Sequence, residues 1–188
     1  MRYISSIPNI LTGYRFFVVP FLIFCLQPGV ETWVSLLGFF LFITGALSDL
    51  ADGYLARKYK VESVLGKLMD PLADKVLVTV GLVMLIPMGR VPAWVSFLIL
   101  AREMIVTGLR GLAASSGIVI SASRLGKWKS VVQLTALCWL IFPNGVLPLP
   151  WLHDLGLITL YLALVLTLWS GIDYFFRFKK LYLAPENQ

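Results

Sequence analysis

Residues 49–74 gather the groups best suited to chemistry. They read Asp49-Leu-Ala-Asp52-Gly53-Tyr-Leu-Ala56-Arg57, then eight residues, then Gly66-Lys-Leu-Met-Asp70-Pro-Leu-Ala-Asp74, and hold five of the chain's ten acidic residues, four of them the aspartates just named. Asp49 and Asp52 are three apart and so share a helix face, which Gly53 and Ala56 extend with almost no side chain. Gly66, Asp70 and Asp74 recur every four residues and form a second stripe. Two helices joined by a basic turn near Lys58 and Lys60 would aim the stripes at each other. Four carboxylates so close cannot all stay ionised without positive charge between them. Hard divalent cations such as Mg²⁺ supply that charge and prefer oxygen ligands. Two such ions would clamp a diphosphate, polarise its phosphorus and stabilise a departing phosphate. The alternative, ordinary carboxylates paired with Arg57, Lys67 and Lys75, accounts for one or two of the acids. It leaves the small residues unexplained, and acids within a membrane are costly and usually functional.

These residues must be carried by membrane helices. The chain has 188 residues, 59% of them hydrophobic and only 14% charged, with a mean hydropathy of +0.84. A soluble domain carries far more charge. A spanning helix needs about 20 apolar residues, so five or six fit in one polytopic domain covering 1–188. The formal charge of +6 suits anionic headgroups and phosphorylated substrates, not nucleic acid. Cys25 and Cys138 lie in apolar runs without metal or redox spacing. No small-residue cleavage site follows the first apolar run, so no cleavable signal peptide is predicted.

The apolar runs cover about 10–27, 32–57, 66–88, 92–114, 125–142 and 154–176. Breaks fall at Pro28-Gly29, at Gly89 with Pro92, at Ser115-Ser116-Gly117, and between Pro143 and Pro150. The expected fold is all-α, with six transmembrane helices preceded by a short interfacial segment over residues 1–8. Arg2, Arg57, Lys58, Lys60, Arg124, Lys127, Lys129, Arg177, Lys179 and Lys180 fall on one side, and the opposite turns hold only Arg90. The positive-inside rule puts both termini and the carboxylates on the cytoplasmic side. Six tryptophans, several near the ends of runs, read as an interfacial aromatic belt.

Smaller groups lie elsewhere. Glu103, Thr107 and Arg110 follow one helical face of the fourth run, while Arg102 and Glu103 are adjacent and so point to different sides. For Arg102 and Glu103, an internal ion pair that fixes packing stands beside a functional role. Arg110 lies near the cytoplasmic end, within reach of Lys127 and Lys129 at the start of the fifth run. Such a cluster would hold a phosphate, the arginine offering a two-pronged donor. Topology and lipid-headgroup contact are the alternative for Arg124, Lys127 and Lys129. Lys75 either pairs with a carboxylate or snorkels to the surface. His153 reads as a solvated or interfacial residue.

The pattern D-x-x-D-G-x-x-A-R-x8-G-x-x-x-D-x-x-x-D resembles the signature of the CDP-alcohol phosphotransferases. The chain matches it at every position: Asp49, Asp52, Gly53, Ala56, Arg57, Gly66, Asp70 and Asp74. The segments Ile7-Pro8-Asn9-Ile10-Leu11-Thr12 with Arg15, Met69 to Val76, Ala101-Arg102-Glu103 and Gly126-Lys127 look most like the bacterial branch that makes phosphatidylglycerophosphate. The resemblance covers nearly the whole chain. It implies six transmembrane helices, often a homodimer, in the bacterial inner membrane. It implies transfer of a phosphatidyl group from CDP-diacylglycerol to sn-glycerol 3-phosphate, with release of CMP. It makes Asp49, Asp52, Asp70 and Asp74 ligands of two Mg²⁺ or Mn²⁺ ions and Asp74 the general base as well. Gly53, Ala56 and Gly66 make room for the cytidine diphosphate, Arg57 steadies it, and Asn9 and Thr12 approach the nucleotide.

The signature is shared by enzymes with other acceptors. Glycerol 3-phosphate is a dianion and needs a basic pocket, for which Arg110, Lys127 and Arg124 are the available groups. Inositol phosphate needs one too, so charge alone does not separate the two. A cardiolipin synthase of the same family, taking phosphatidylglycerol, would have less use for that pocket. A divalent-cation transporter is the alternative from another class. Against it, the carboxylates cluster toward one side and leave no charged relay across the membrane.

Overall fold

The structure, a computed structural model, describes residues 2–59, 64–117 and 124–182. Within these it describes all side chains except those of 2–12, 49–59, 64–72, 74, 124–125, 127 and 182. The regular structure of the described residues is all helical: α1 (Arg2–Cys25), α2 (Thr32–Tyr59), α3 (Val64–Leu85), α4 (Ala93–Ser115), α5 (Arg124–Ile141) and α6 (Leu152–Tyr182). All six expected runs are helices. The short interfacial segment expected over residues 1–8 is continuous with the first helix: α1 begins at Arg2 and runs unbroken through Pro8. A proline within a helix removes one donor without ending it where surrounding structure supports the turn.

Short connections make consecutive helices alternate in direction. The α3–α4 turn shows how. Gly89, at φ +69°, donates its N–H to the Ile86 carbonyl at 2.9 Å, and the Arg90 N–H reaches the Leu85 carbonyl at 3.1 Å. This pair of bonds closes a helix C-terminus around a left-handed residue, a conformation glycine adopts without a Cβ penalty. α5 and α6 pack most extensively. α1 lies against α2 and α3, and α4 against α6.

The main core joins Val18 and Leu22 of α1, Phe42 of α2, Leu77 and Leu82 of α3, Ile99 of α4, Leu137 of α5 and Leu160 of α6. Small residues let the helix backbones approach. A Cβ added at Gly38 would stand 2.8 Å from the Cβ of Cys25, and one at Gly156 would stand 2.9 Å from Cγ of Leu140. A second, smaller cluster joins Val106 and Ala113 of α4 to Tyr174 and Phe178 of α6. Outside these cores the surface is strongly apolar. Phe17, Phe24, Trp33, Phe40, Phe97, Met104, Ile105, Ile158, Val165, Trp169 and Phe176 are all exposed. Among the described residues, α6 is the one helix long and apolar enough by itself to cross a membrane, over Leu152–Leu181 at a mean hydropathy of 2.0.

Candidate active site

The signature falls on two consecutive helices. Asp49, Asp52, Gly53, Ala56 and Arg57 belong to the C-terminal part of α2, and Gly66, Asp70 and Asp74 to the N-terminal half of α3. Only residues 60–63 separate these helices, and α2 packs on α3. The two acidic stripes therefore occupy the same end of the bundle. Asn9 and Thr12 stand in the N-terminal half of α1, and the alternation of helix directions brings that half to the same end. The side chains of these ten residues lie outside those described. Their immediate neighbours are packed: Ala73 is buried between Leu72 and Asp74, and Arg15 is wholly buried on α1. Four aspartates on two adjacent helix ends would supply an all-oxygen donor set, of the kind that suits Mg²⁺ or Mn²⁺ rather than a soft metal.

A polar network is described beside this end. Glu103 of α4 accepts from Nη1 of Arg102 at 2.9 Å and pairs with Nζ of Lys129 on α5. Nη2 of Arg102 donates to Oγ of Ser170 on α6 at 2.8 Å. One carboxylate thus ties α4 to α5, and its arginine partner ties α4 to α6. This is the internal ion pair that stood as one of the two readings of Arg102 and Glu103. Their Cα–Cβ bonds diverge, but the long guanidinium folds back to the neighbouring carboxylate. On α3, Lys75, the residue after Asp74, donates from Nζ to Oγ1 of Thr107, whose hydroxyl also bonds the Glu103 carbonyl at 2.7 Å. A cavity of about 50 Å³ opens between α3, α4 and α5, lined by Lys75, Thr79, Leu100, Glu103, Lys129 and Gln133.

Of the acceptor-site candidates, Arg110 is described and exposed on α4. Its guanidinium carbon sits 5.8 Å from the centroid of the Tyr174 ring on α6. Lys129, expected within its reach, has its ammonium paired with Glu103. Arg124 and Lys127 fall in the first turn of α5, at the same end of the bundle, with side chains outside those described. Sequence reasoning missed Lys129 as a structural cation, Ser170 as its network partner's acceptor, and Tyr174. A serine in an apolar α6 and an acid in an apolar α4 were the available signals for the network.

The opposite end is built differently. Arg90 donates from Nη1 to the carbonyls of Leu140 at 2.8 Å and of Ile141 and Phe142 at 3.3 Å. It satisfies the open C-terminal carbonyls of α5 and complements the negative end of that helix. Burial lowers the Arg90 pKa below the ordinary arginine value. His153, expected to be solvated or interfacial, is half-buried, with its Nε2 enclosed.

Comparison with known proteins gives a consistent result. The family model described as CDP-alcohol phosphatidyltransferase matches residues 5–169. A protein of Rickettsia felis named CDP-diacylglycerol–glycerol-3-phosphate 3-phosphatidyltransferase is 36% identical, covering 97% of this chain and all of that one. Proteins of the same name from Bacillus subtilis, 36% identical over 90% of this chain and 93% of its own, and from Shigella flexneri serotype 5b, 33% identical over 90% and 92%, are similar too.

Proposed function

The chain belongs to the CDP-alcohol phosphatidyltransferase family, an enzyme of phospholipid synthesis, and from that membership we propose that it transfers a phosphatidyl group from CDP-diacylglycerol to sn-glycerol 3-phosphate, giving phosphatidylglycerophosphate and CMP. The observation that carries this reading is the complete signature, lying on two helix ends only four residues apart. The names of the similar proteins support the choice of acceptor.

Asp49, Asp52, Asp70 and Asp74 would hold two Mg²⁺ or Mn²⁺ ions. When bound, these ions neutralise the diphosphate and stabilise the charge that develops on departing CMP. The small residues Gly53, Ala56 and Gly66 let the cytidine diphosphate lie close to the helix backbones, with Arg57, Asn9 and Thr12 around it. Arg110, Lys127 and Arg124 hold the acceptor's phosphate and orient its free hydroxyl. Asp74 takes the hydroxyl proton as the oxygen attacks the phosphorus that bears diacylglycerol. The new P–O bond forms as the bond to CMP breaks, and CMP leaves with that electron pair. No covalent intermediate on the protein is required.

The same reading places all six helices across the bacterial inner membrane, with both termini and the site on the cytoplasmic side. The apolar exposed surfaces of α1, α2, α4 and α6 support it. So does the basic character of the end that carries the signature. It includes a homodimer, as the resemblance implies.

The test is CMP release from CDP-diacylglycerol by the purified protein, with Mg²⁺ or Mn²⁺ and each acceptor offered separately. Release with glycerol 3-phosphate alone, yielding phosphatidylglycerophosphate, is expected. Release with phosphatidylglycerol or inositol phosphate instead would keep the metal site and overturn the acceptor pocket. No release with any acceptor would overturn the enzyme reading, and metal uptake by vesicles containing the protein would then mark a transporter.

A further inference from the structure

The contact between Arg110 and Tyr174 has no structural need that the rest of the fold supplies. Arg110 is exposed at the signature end of α4, and a solvated arginine there is free to sample many rotamers. Its guanidinium carbon instead sits 5.8 Å from the Tyr174 ring centroid, within the range of a cation held over an aromatic face. Tyr174 is itself fixed. It is 6% exposed and packs with Val106, Ala113 and Phe178 in the cluster between α4 and α6. Its hydroxyl is buried and has no hydrogen-bond partner among the described residues, so the ring, not the hydroxyl, makes the contact that matters to Arg110. α6 is in turn tied to α4 one turn earlier by the bond from Arg102 to Ser170.

We propose that Tyr174 is a positioning residue for the acceptor, its ring holding the Arg110 guanidinium in place for the acceptor's phosphate. The inference rests on the reading of Arg110 as an acceptor-phosphate group. A guanidinium held over a ring by its charge has N–H groups left for a two-pronged bond to phosphate, and part of its rotamer entropy is lost before the ligand arrives. Tyr174 thereby acts on acceptor affinity without touching the reacting atoms, and CDP-diacylglycerol binding is independent of it.

The experiment replaces Tyr174 with phenylalanine and then with its mono-, di- and trifluorinated forms. Ring size changes little along this series while the negative charge of the ring face falls. Steady-state KM is measured separately for glycerol 3-phosphate and CDP-diacylglycerol, beside Arg110→Ala. Tyr174→Phe is expected to keep the acceptor KM near that of the natural protein. Fluorination is expected to raise it stepwise, by about 2- to 5-fold in total, with the CDP-diacylglycerol KM flat. In an Arg110→Ala background the fluorination series is expected to have no effect. A flat acceptor KM along the series, with Arg110→Ala raising it, would overturn the role of Tyr174 and leave the acceptor reading standing. An acceptor KM unchanged by Arg110→Ala would overturn both.

Discussion

Gly171 of α6 faces the side chain of Arg102 on α4 so closely that a Cβ added to it would stand 3.0 Å from Cγ and 3.1 Å from Nε. The arginine cannot swing aside freely, because its two terminal nitrogens are bonded to Glu103 and Ser170. Helix–helix approach at this point therefore depends on the missing side chain. Gly171→Ala gains about 1 kcal/mol of helix propensity and loses about 1–3 kcal/mol to overpacking, a net loss on the order of 1 kcal/mol. Gly171→Leu has no comparable gain for its larger volume and is expected to lose several-fold more. Thermal unfolding in detergent checks the order. A Gly171→Leu protein as stable as the natural one would show that the approach is not tight.

Glu103 serves two cations, and the consequence is an asymmetry between partners. Removing Lys129 leaves the Arg102–Glu103 pair intact and neutral. Removing Glu103 leaves Arg102 and Lys129, with side chains only 10% exposed, without their carboxylate. Breaking a buried pair from the side that strands charge costs about 3–5 kcal/mol, whereas an apolar replacement that strands none is far milder. Glu103→Ala is thus expected to unfold at markedly lower denaturant or temperature than Lys129→Met. Equal losses from the two variants would mean that the three side chains do not act as one network.

How far the sequence reaches is clear from these same residues. The helix ends were legible because Pro28-Gly29, Gly89 and the Pro143–Pro150 stretch interrupt apolar runs with chemistry that a helix cannot continue through. The start of α1 was not, because Arg2 and Pro8 look like a boundary while the helix runs through both. Asp49, Asp52, Asp70 and Asp74 stand out as candidates from spacing alone, since i+3 and i+4 neighbours share a face whatever surrounds them. The Arg102–Glu103 ion pair was open from the sequence, but its links to Lys129 and Ser170 were not, because they depend on how α4, α5 and α6 pack. Tyr174 is 64 residues from Arg110 in sequence, so no local pattern connects them. Only the α4–α6 packing does.

Arg90 offers a control at the other end of the bundle. Its guanidinium bonds three carbonyls at the C-terminus of α5, and hydrogen bonds to a charged group contribute about 1.5–3 kcal/mol. Arg90→Met keeps much of the aliphatic stem and loses the donors. It is expected to lower stability by about 2 kcal/mol while both substrate KM values stay unchanged in the folded fraction. A selective rise in either KM would show that the two ends of the bundle are coupled.

The sharpest test of the reaction chemistry is Asp74→Asn. The amide keeps the size of the carboxylate, so α3 is expected to keep its packing around buried Ala73 and Leu77. It cannot take a proton from the acceptor hydroxyl, and it is a poorer ligand for a hard cation. Loss of a positioned general base alone lowers turnover by about 10²- to 10⁴-fold, and the weakened metal site adds to that. Asp49→Asn removes a ligand without removing the base. Its activity is therefore expected to recover in part as Mg²⁺ or Mn²⁺ is raised, while that of Asp74→Asn does not. A chelator should silence the natural protein and added metal should restore it. Near-normal turnover by a folded Asp74→Asn protein would exclude Asp74 as the base, and recovery at high metal would reduce its role to that of a ligand.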